Sequence, residues 1–268
     1  MKTKLNQITA ASADEFHMPM RIVVMNYVGG VGKTTIVRHV IMPALPGAEL
    51  IRVESTNSSG TSEADYQVTG REFEAVARRL YDADVDTVVD IGSSNADEVR
   101  HALHTLGEAH HNVDLWVVPS IQGEPDCRIV TDTIATIKEL ILIGVEPSKI
   151  AVVKNNVKTI NTMDRDFSVL QSVAEALGVR MIDTPILSLK VFPDMDDKLG
   201  TFEDIAGDRT DFRRANLAAK AAGDVQAGKL AVDAEFRRMM ARGGVKMLQA
   251  VRLELLGFDK SITPAAVA

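Results

Sequence analysis

The sequence predicts an α/β protein: a doubly wound, mostly parallel sheet with helices added at its C-terminal end. Short apolar runs rich in β-branched residues alternate with longer stretches of helical period. Most of these runs are too uniformly apolar for a one-sided sheet, so they read as strands buried on both faces. The first run leads directly into Gly29-Gly30-Val31-Gly32-Lys33-Thr34-Thr35, a glycine loop that opens a helix.

Taken in order, the strands are expected at Arg21–Met25, Leu50–Val53, Thr87–Ile91, Leu115–Val118, Ile150–Val153 and Arg180–Ile182. Helices are expected between them at Thr34–Ile41, Arg71–Tyr81, Ala96–Ala109, Pro125–Leu142 and Met163–Leu177. Ile134, Ile137 and Leu140, with Ile129 a turn and a half earlier, recur on one side of a helix as a buried face does. Gly178 follows the last of these helices as a C-terminal stop. From Asp208 to Phe258 no strand candidate remains. Ala, Arg, Met and Leu dominate, and weak breaks at Gly223, Gly228 and Gly243-Gly244 suggest two or three helices. The expected organisation is a flexible arm over 1–19, a nucleotide-binding domain over 20–207 and a helical extension over 208–268, fraying at Pro264 to Ala268.

Composition narrows the function classes. With 46% hydrophobic and 25% charged residues, the 268-residue chain has ample material for a core. No apolar run approaches the ~20 residues that span a bilayer. Met1 to His17 is polar and lacks the apolar centre of a secretory signal, and the single Cys127 cannot form an internal disulfide. The expected location is the cytoplasm. The net charge of −7 is unevenly distributed: the last sixty-one residues carry a net positive charge, the rest a negative one. A basic tail on an acidic body fits contact with nucleic acid, anionic lipid or an acidic partner, and equally a solvated helical face.

The loop carries the sharpest chemistry. Its glycines let backbone N–H groups close on phosphate oxygens, Lys33 supplies a point charge, and the Thr34 hydroxyl can ligate Mg²⁺. The pattern G-x-x-x-x-G-K-[ST] is incomplete, because Tyr27 occupies the position of its first glycine. Val88-Val89-Asp90 then ends a buried strand in an aspartate, followed by Ile91-Gly92-Ser93-Ser94-Asn95. Ligands of open parallel sheets sit at the carboxyl ends of the strands, so Asp90 is expected to project toward the loop and hold Mg²⁺. The alternative for Asp90 is a cap on the helix at Ala96. His101 and His104 sit one turn apart, but no cysteine or carboxylate set completes a metal site, and a solvated helix face is the better reading.

On these residues the chain resembles the ParA/MinD superfamily of P-loop ATPases over residues 21–207. The resemblance rests on Gly29 to Thr35, Val88-Val89-Asp90, Val117-Val118-Pro119, Val152-Val153-Lys154-Asn155-Asn156, Thr184-Pro185-Ile186 and Gly200 to Ile205. Within the superfamily it looks most like the StbB-type plasmid-stability and conjugal-transfer proteins, because Asp90-Ile91-Gly92-Ser93-Ser94-Asn95 replaces D-x-P-P. The resemblance implies ATP and Mg²⁺ as ligands, with Gly29, Gly30, Val31 and Gly32 around the β-phosphate. It implies Lys33 between the β- and γ-phosphates, Thr34 on Mg²⁺ and Thr35 on the α-phosphate. Asn155, with Asn156 second, would read adenine, unless it is a plain turn residue, and Pro185 would pack near the base. A homodimer in the ATP-bound state, and DNA or a small DNA-binding protein as partner, are implied as well.

The departures matter too. The family's lysine before Gly-Gly, which reaches across the dimer to the partner's phosphates, is Val28 here. The switch strand ends Glu54-Ser55-Thr56 instead of D-x-D, leaving Glu54 as the local carboxylate candidate for positioning water. Binding of nucleotide with slow or partner-stimulated hydrolysis is therefore expected. Rival readings are a non-hydrolysing adaptor and a small-molecule kinase or ligase. In the C-terminal segment, Arg213-Arg214, Arg237-Arg238, Arg242 and Lys246 offer phosphate contacts. Val245, Leu248, Val251, Leu255 and Phe258 form an apolar stripe, expected to pack against the body rather than to lie on a membrane.

Overall fold

Seven strands form the sheet: β1 (Arg21–Val24), β2 (Glu49–Val53), β3 (Tyr66–Val68), β4 (Thr87–Ile91), β5 (Leu115–Ile121), β6 (Ile150–Asn155) and β7 (Arg180–Met181). Their order is β3-β2-β4-β1-β5-β6-β7 and every pairing is parallel. This computed structural model describes residues 18–54, 66–124, 127–192 and 201–257. The expected arm up to His17, Ser55-Thr56, Pro125, Gly200, Phe258 and the tail Pro264 to Ala268 lie outside the described residues.

The helices are α1 (Lys33–Ile36), α2 (Met42–Ala44), α3 (Phe73–Tyr81), α4 (Ala96–Leu106), α5 (Arg128–Leu142), α6 (Ile160–Asp166), α7 (Ser168–Leu177), α8 (Phe202–Gly207), α9 (Phe212–Ala221) and α10 (Val225–Leu256). A π-helical turn, Val37–Ile41, joins α1 to α2. Several boundaries differ from expectation for local reasons. Met163–Leu177 is two helices, because Phe167 leaves helical geometry (φ −100°, ψ 1°) and buries its ring. The helix expected to reach Ala109 stops at Leu106, where Gly107 takes φ +61°. The edge strand β3 was not expected; three residues give too short a pattern to read.

Alternation along the strands divides the core into two layers. Val23, Ile51, Val89 and Trp116 point to the face covered by α3, α4, α5 and α7. Ile22, Leu50, Val88 and Val117 point to the other, which the helical run 33–44 covers only in part. The second half of α10 completes that cover with Ala241, Leu248, Val251 and Leu255, all buried. The apolar stripe thus packs against the sheet, and the boundary expected at 208 separates elements that share one core.

Arg252 holds this arrangement. It is fully buried, pairs with Glu203 of α8 at 2.9 Å and donates from Nη2 to the His39 carbonyl of the π-helical turn at 2.8 Å. The first half of α10 and α9 form a hairpin, on which Leu217, Val225, Phe236 and Met239 are exposed. No helix among the described residues is long and apolar enough to cross a membrane.

Candidate functional site

The chain leaves β1, travels to β2 and β3 on one side, returns through β4 and continues to β5 on the other. This reversal around β1 opens a crevice at the carboxyl ends of the strands, where parallel sheets bind ligands. Residues 26–35 occupy it. Asn26, fully buried, fixes the entry of the loop: its Nδ2 donates to the Pro119 carbonyl (2.8 Å) and Thr133 Oγ1 (3.0 Å), and its Oδ1 accepts from Val28 N (2.9 Å). A polar residue ending an apolar strand was the available signal for Asn26, and the sequence reading passed over it.

Gly30 and Gly32 adopt φ of +74° and +84°, the left-handed region that side chains avoid. A Cβ on Gly32 would lie 2.0 Å from Asn155 Nδ2, so only glycine fits that position. Asn155 packs there because its amide donates to the Val31 carbonyl at 2.9 Å. It braces the loop with a donor expected to read a base. Its neighbour Asn156 takes φ +51°, the one described non-glycine residue with positive φ. Tyr27 turns away into the layer under α4 and α5, where burial pushes its phenol up to about 12, aided by the charge of Glu139.

Lys33 is buried and folds back on its own loop, donating from Nζ to the carbonyls of Val28 (3.0 Å) and Asn26 (3.2 Å). Burial holds its ammonium below the ordinary lysine value, against the pull of Asp90. Thr34 Oγ1 donates to Asp90 Oδ2 at 2.8 Å, so the two expected metal ligands are already together. Burial raises the Asp90 carboxyl above the usual range; the Thr34 hydrogen bond and the Arg52 charge oppose this. Glu54 lies half-buried at the end of β2, close enough for its charge to act on Asp90 as well. Gly92 N donates to the Val53 carbonyl at 2.9 Å and ties the turn after β4 to this strand.

A cavity of about 310 Å³ adjoins the loop, lined by Gly30, Gly32, Thr35, Asn155, Asn156 and the segment Leu187, Ser188, Leu189 and Phe192. Its volume is that of a small-ligand site, polar at the loop and apolar at the far end. Pro185 is half-buried and is not among the lining residues; the contacts expected of it fall to Leu187, Leu189 and Phe192. These missed residues belong to an irregular segment held beside β6 by Val157 N donating to Ile186 O (2.9 Å). The fit to a Mg²⁺–nucleotide is good on three counts. Gly30 and Gly32 put no side chain in front of the loop backbone, a hydroxyl and a carboxylate stand together, and the cation is adjacent. No cluster of three or more His, Cys, Asp or Glu suited to a metal exists among the described residues. His104 instead bonds Glu139 of α5 at 2.7 Å, joining two helices. A cavity of about 440 Å³ between α9 and α10 is lined largely by aliphatic surface, lysine stems and one amide, and no acid converges there.

No protein-family model matches this sequence, and comparison with curated proteins finds no match.

Proposed function

We propose that this chain is a Mg²⁺-dependent, ATP-binding switch of ParA/MinD type, acting in the cytoplasm in plasmid stability, partition or conjugal DNA transfer. One observation carries the reading: the glycine loop, Lys33, and the Thr34–Asp90 pair meet at the reversal of strand order, beside a cavity of about 310 Å³. In this reading Lys33 releases the Val28 and Asn26 carbonyls and turns its charge to phosphate oxygens. Thr34 and Asp90 would hold the Mg²⁺, which when bound would supply charge neutralisation at the terminal phosphate. Gly30 to Gly32 offer backbone donors, and Asn156 reads the base because the Asn155 amide is engaged with the loop.

The output is conformational. Phe192 lines the cavity and its ring packs 4.9 Å from that of Phe202. A Cβ on Gly244 of α10 would meet Phe202 Cε1 at 2.5 Å, so helix and ring are in close contact. Ligand in the cavity therefore bears on α10 and on the basic hairpin that would contact DNA, a partner protein or a second copy of the chain. Val28 in place of a cation and Glu54 as the local carboxylate favour slow hydrolysis over fast turnover.

Calorimetric titration with Mg-ATP tests the reading. Saturable binding is expected. Lys33→Ala should weaken it ~10- to 100-fold, since hydrogen bonds to charged groups are worth ~1.5–3 kcal/mol. Absence of Mg²⁺-dependent binding in the wild type would end the proposal. Phosphate release with and without DNA separates a slow ATPase from an adaptor, and dependence of release on a small acceptor would favour a kinase.

A further inference from the structure

A buried arginine stands beside the site. Arg52 is the penultimate residue of β2, in the run Leu50-Ile51-Arg52-Val53, and is 6% exposed. Arginine is rare at such a position, because a guanidinium taken from water needs acceptors for its N–H groups. Here Nε and Nη2 are buried without a hydrogen-bond acceptor. The register pairs Arg52 with Asp90, and in-register residues of parallel strands present side chains to the same face. That face is the one covered by the loop helix, since Leu50 and Val88, two residues earlier on each strand, pack with Ile36 and Val37.

Asp90 does not satisfy the arginine. Its Oδ2 accepts from Thr34, and Arg52 acts on it only as a nearby charge. Glu54, two residues on and of the same parity, also acts on Asp90, so two carboxylates and Arg52 meet where β2 and β4 end. A fork of donors held dry beside the expected metal ligands, with no oxygen to receive it, calls for an anionic oxygen from outside the chain.

We infer that Arg52 is a terminal-phosphate cation supplied from within the same chain. It stands on the β4 side of the loop, adjacent to Asp90, whereas the loop amides serve the inner phosphates. It thereby makes the site prefer a nucleoside triphosphate to a diphosphate. This inference rests on the nucleotide reading above.

The experiment is calorimetry of the full chain with Mg-ADP and with the Mg complex of a β,γ-imido ATP analogue, for wild type, Arg52→Gln and Arg52→Lys. Arg52→Gln should weaken the triphosphate analogue at least ~10-fold, equivalent to ~1.4 kcal/mol, and leave Mg-ADP within ~2-fold. Arg52→Lys keeps the charge but not the fork and should fall between. Equal losses for the two nucleotides would make Arg52 a structural residue and overturn the inference, as would no loss for either. If Arg52→Gln does not fold by circular dichroism, Arg52→Lys decides: a triphosphate-selective loss supports the inference, and unchanged selectivity overturns it. Failure of the wild type to bind either nucleotide would instead refute the nucleotide reading on which the inference depends.

Discussion

Placing alanine at Gly32 tests the geometry of the loop most directly. The residue adopts φ +84°, which costs an L-side chain roughly 1–2 kcal/mol. The new methyl would also sit 2.0 Å from Asn155 Nδ2 and must expel that amide. Expulsion breaks its 2.9 Å bond to the Val31 carbonyl and leaves buried polar groups unpaired, at roughly 1–3 kcal/mol. Gly32→Ala should therefore destabilise the fold by ~2–5 kcal/mol in urea unfolding with an unchanged m-value. Asn155→Ala removes the same bond by another route and should cost ~1–3 kcal/mol. In the double variant the methyl occupies space the amide has vacated, so the bond is lost once rather than twice. The double-mutant cycle should then show the pair less destabilised than the sum by ~1–3 kcal/mol. Additivity within ~0.5 kcal/mol would refute the contact, because independent sites behave that way.

Two further predictions concern the helical layer that joins the loop to α10. His39 packs edge-on against Phe192 and Phe202, and burial, reinforced by Arg38 and Arg252, lowers its imidazole to about 4. The unfolded chain takes up this proton near pH 6.5 and the folded chain resists it, so the stabilisation is intact above 6.5 and falls as pH drops toward 4. By pH 5 the group should cost ~2 kcal/mol at ~1.4 kcal/mol per pH unit. His39→Leu should flatten the difference between urea midpoints at pH 7.5 and pH 5, and identical slopes would show that the histidine titrates normally. Arg252→Ala removes the ion pair to the one-third-exposed Glu203 and the charged donor to the His39 carbonyl, so thermal unfolding should report a loss of ~1.5–3 kcal/mol. Arg78→Ala, at an exposed i,i+4 pair, should change stability by under ~0.5 kcal/mol; similar effects for the two would contradict the burial of Arg252.

Much of this molecule is local information. Apolar runs long enough for a strand, the glycine loop and the aspartate at the end of β4 depend on near neighbours in the chain, so the parallel sheet and the Lys33, Thr34 and Asp90 constellation were legible in the sequence. The remainder depends on which distant residues meet. Nothing beside Asn155 reveals that its amide will be drawn 124 positions back to the Val31 carbonyl. Leu187, Leu189 and Phe192 come from an irregular segment whose pattern matches no period, and only its attachment beside β6 brings them to the cavity. Arg52 reads as an interruption of an apolar strand until the β2–β4 register sets it level with Asp90. The C-terminal stripe announced a helix with a buried face, but that α10 completes one layer of the sheet and is held by Arg252 was a tertiary outcome. Sequence alone determined the fold class and the glycine loop that opens a helix after the first strand, because backbone propensity and periodicity act over a few residues. The tertiary structure decided the brace, the cavity wall and the place of Arg52 beside Asp90, because these arise from register and packing between segments far apart in the chain.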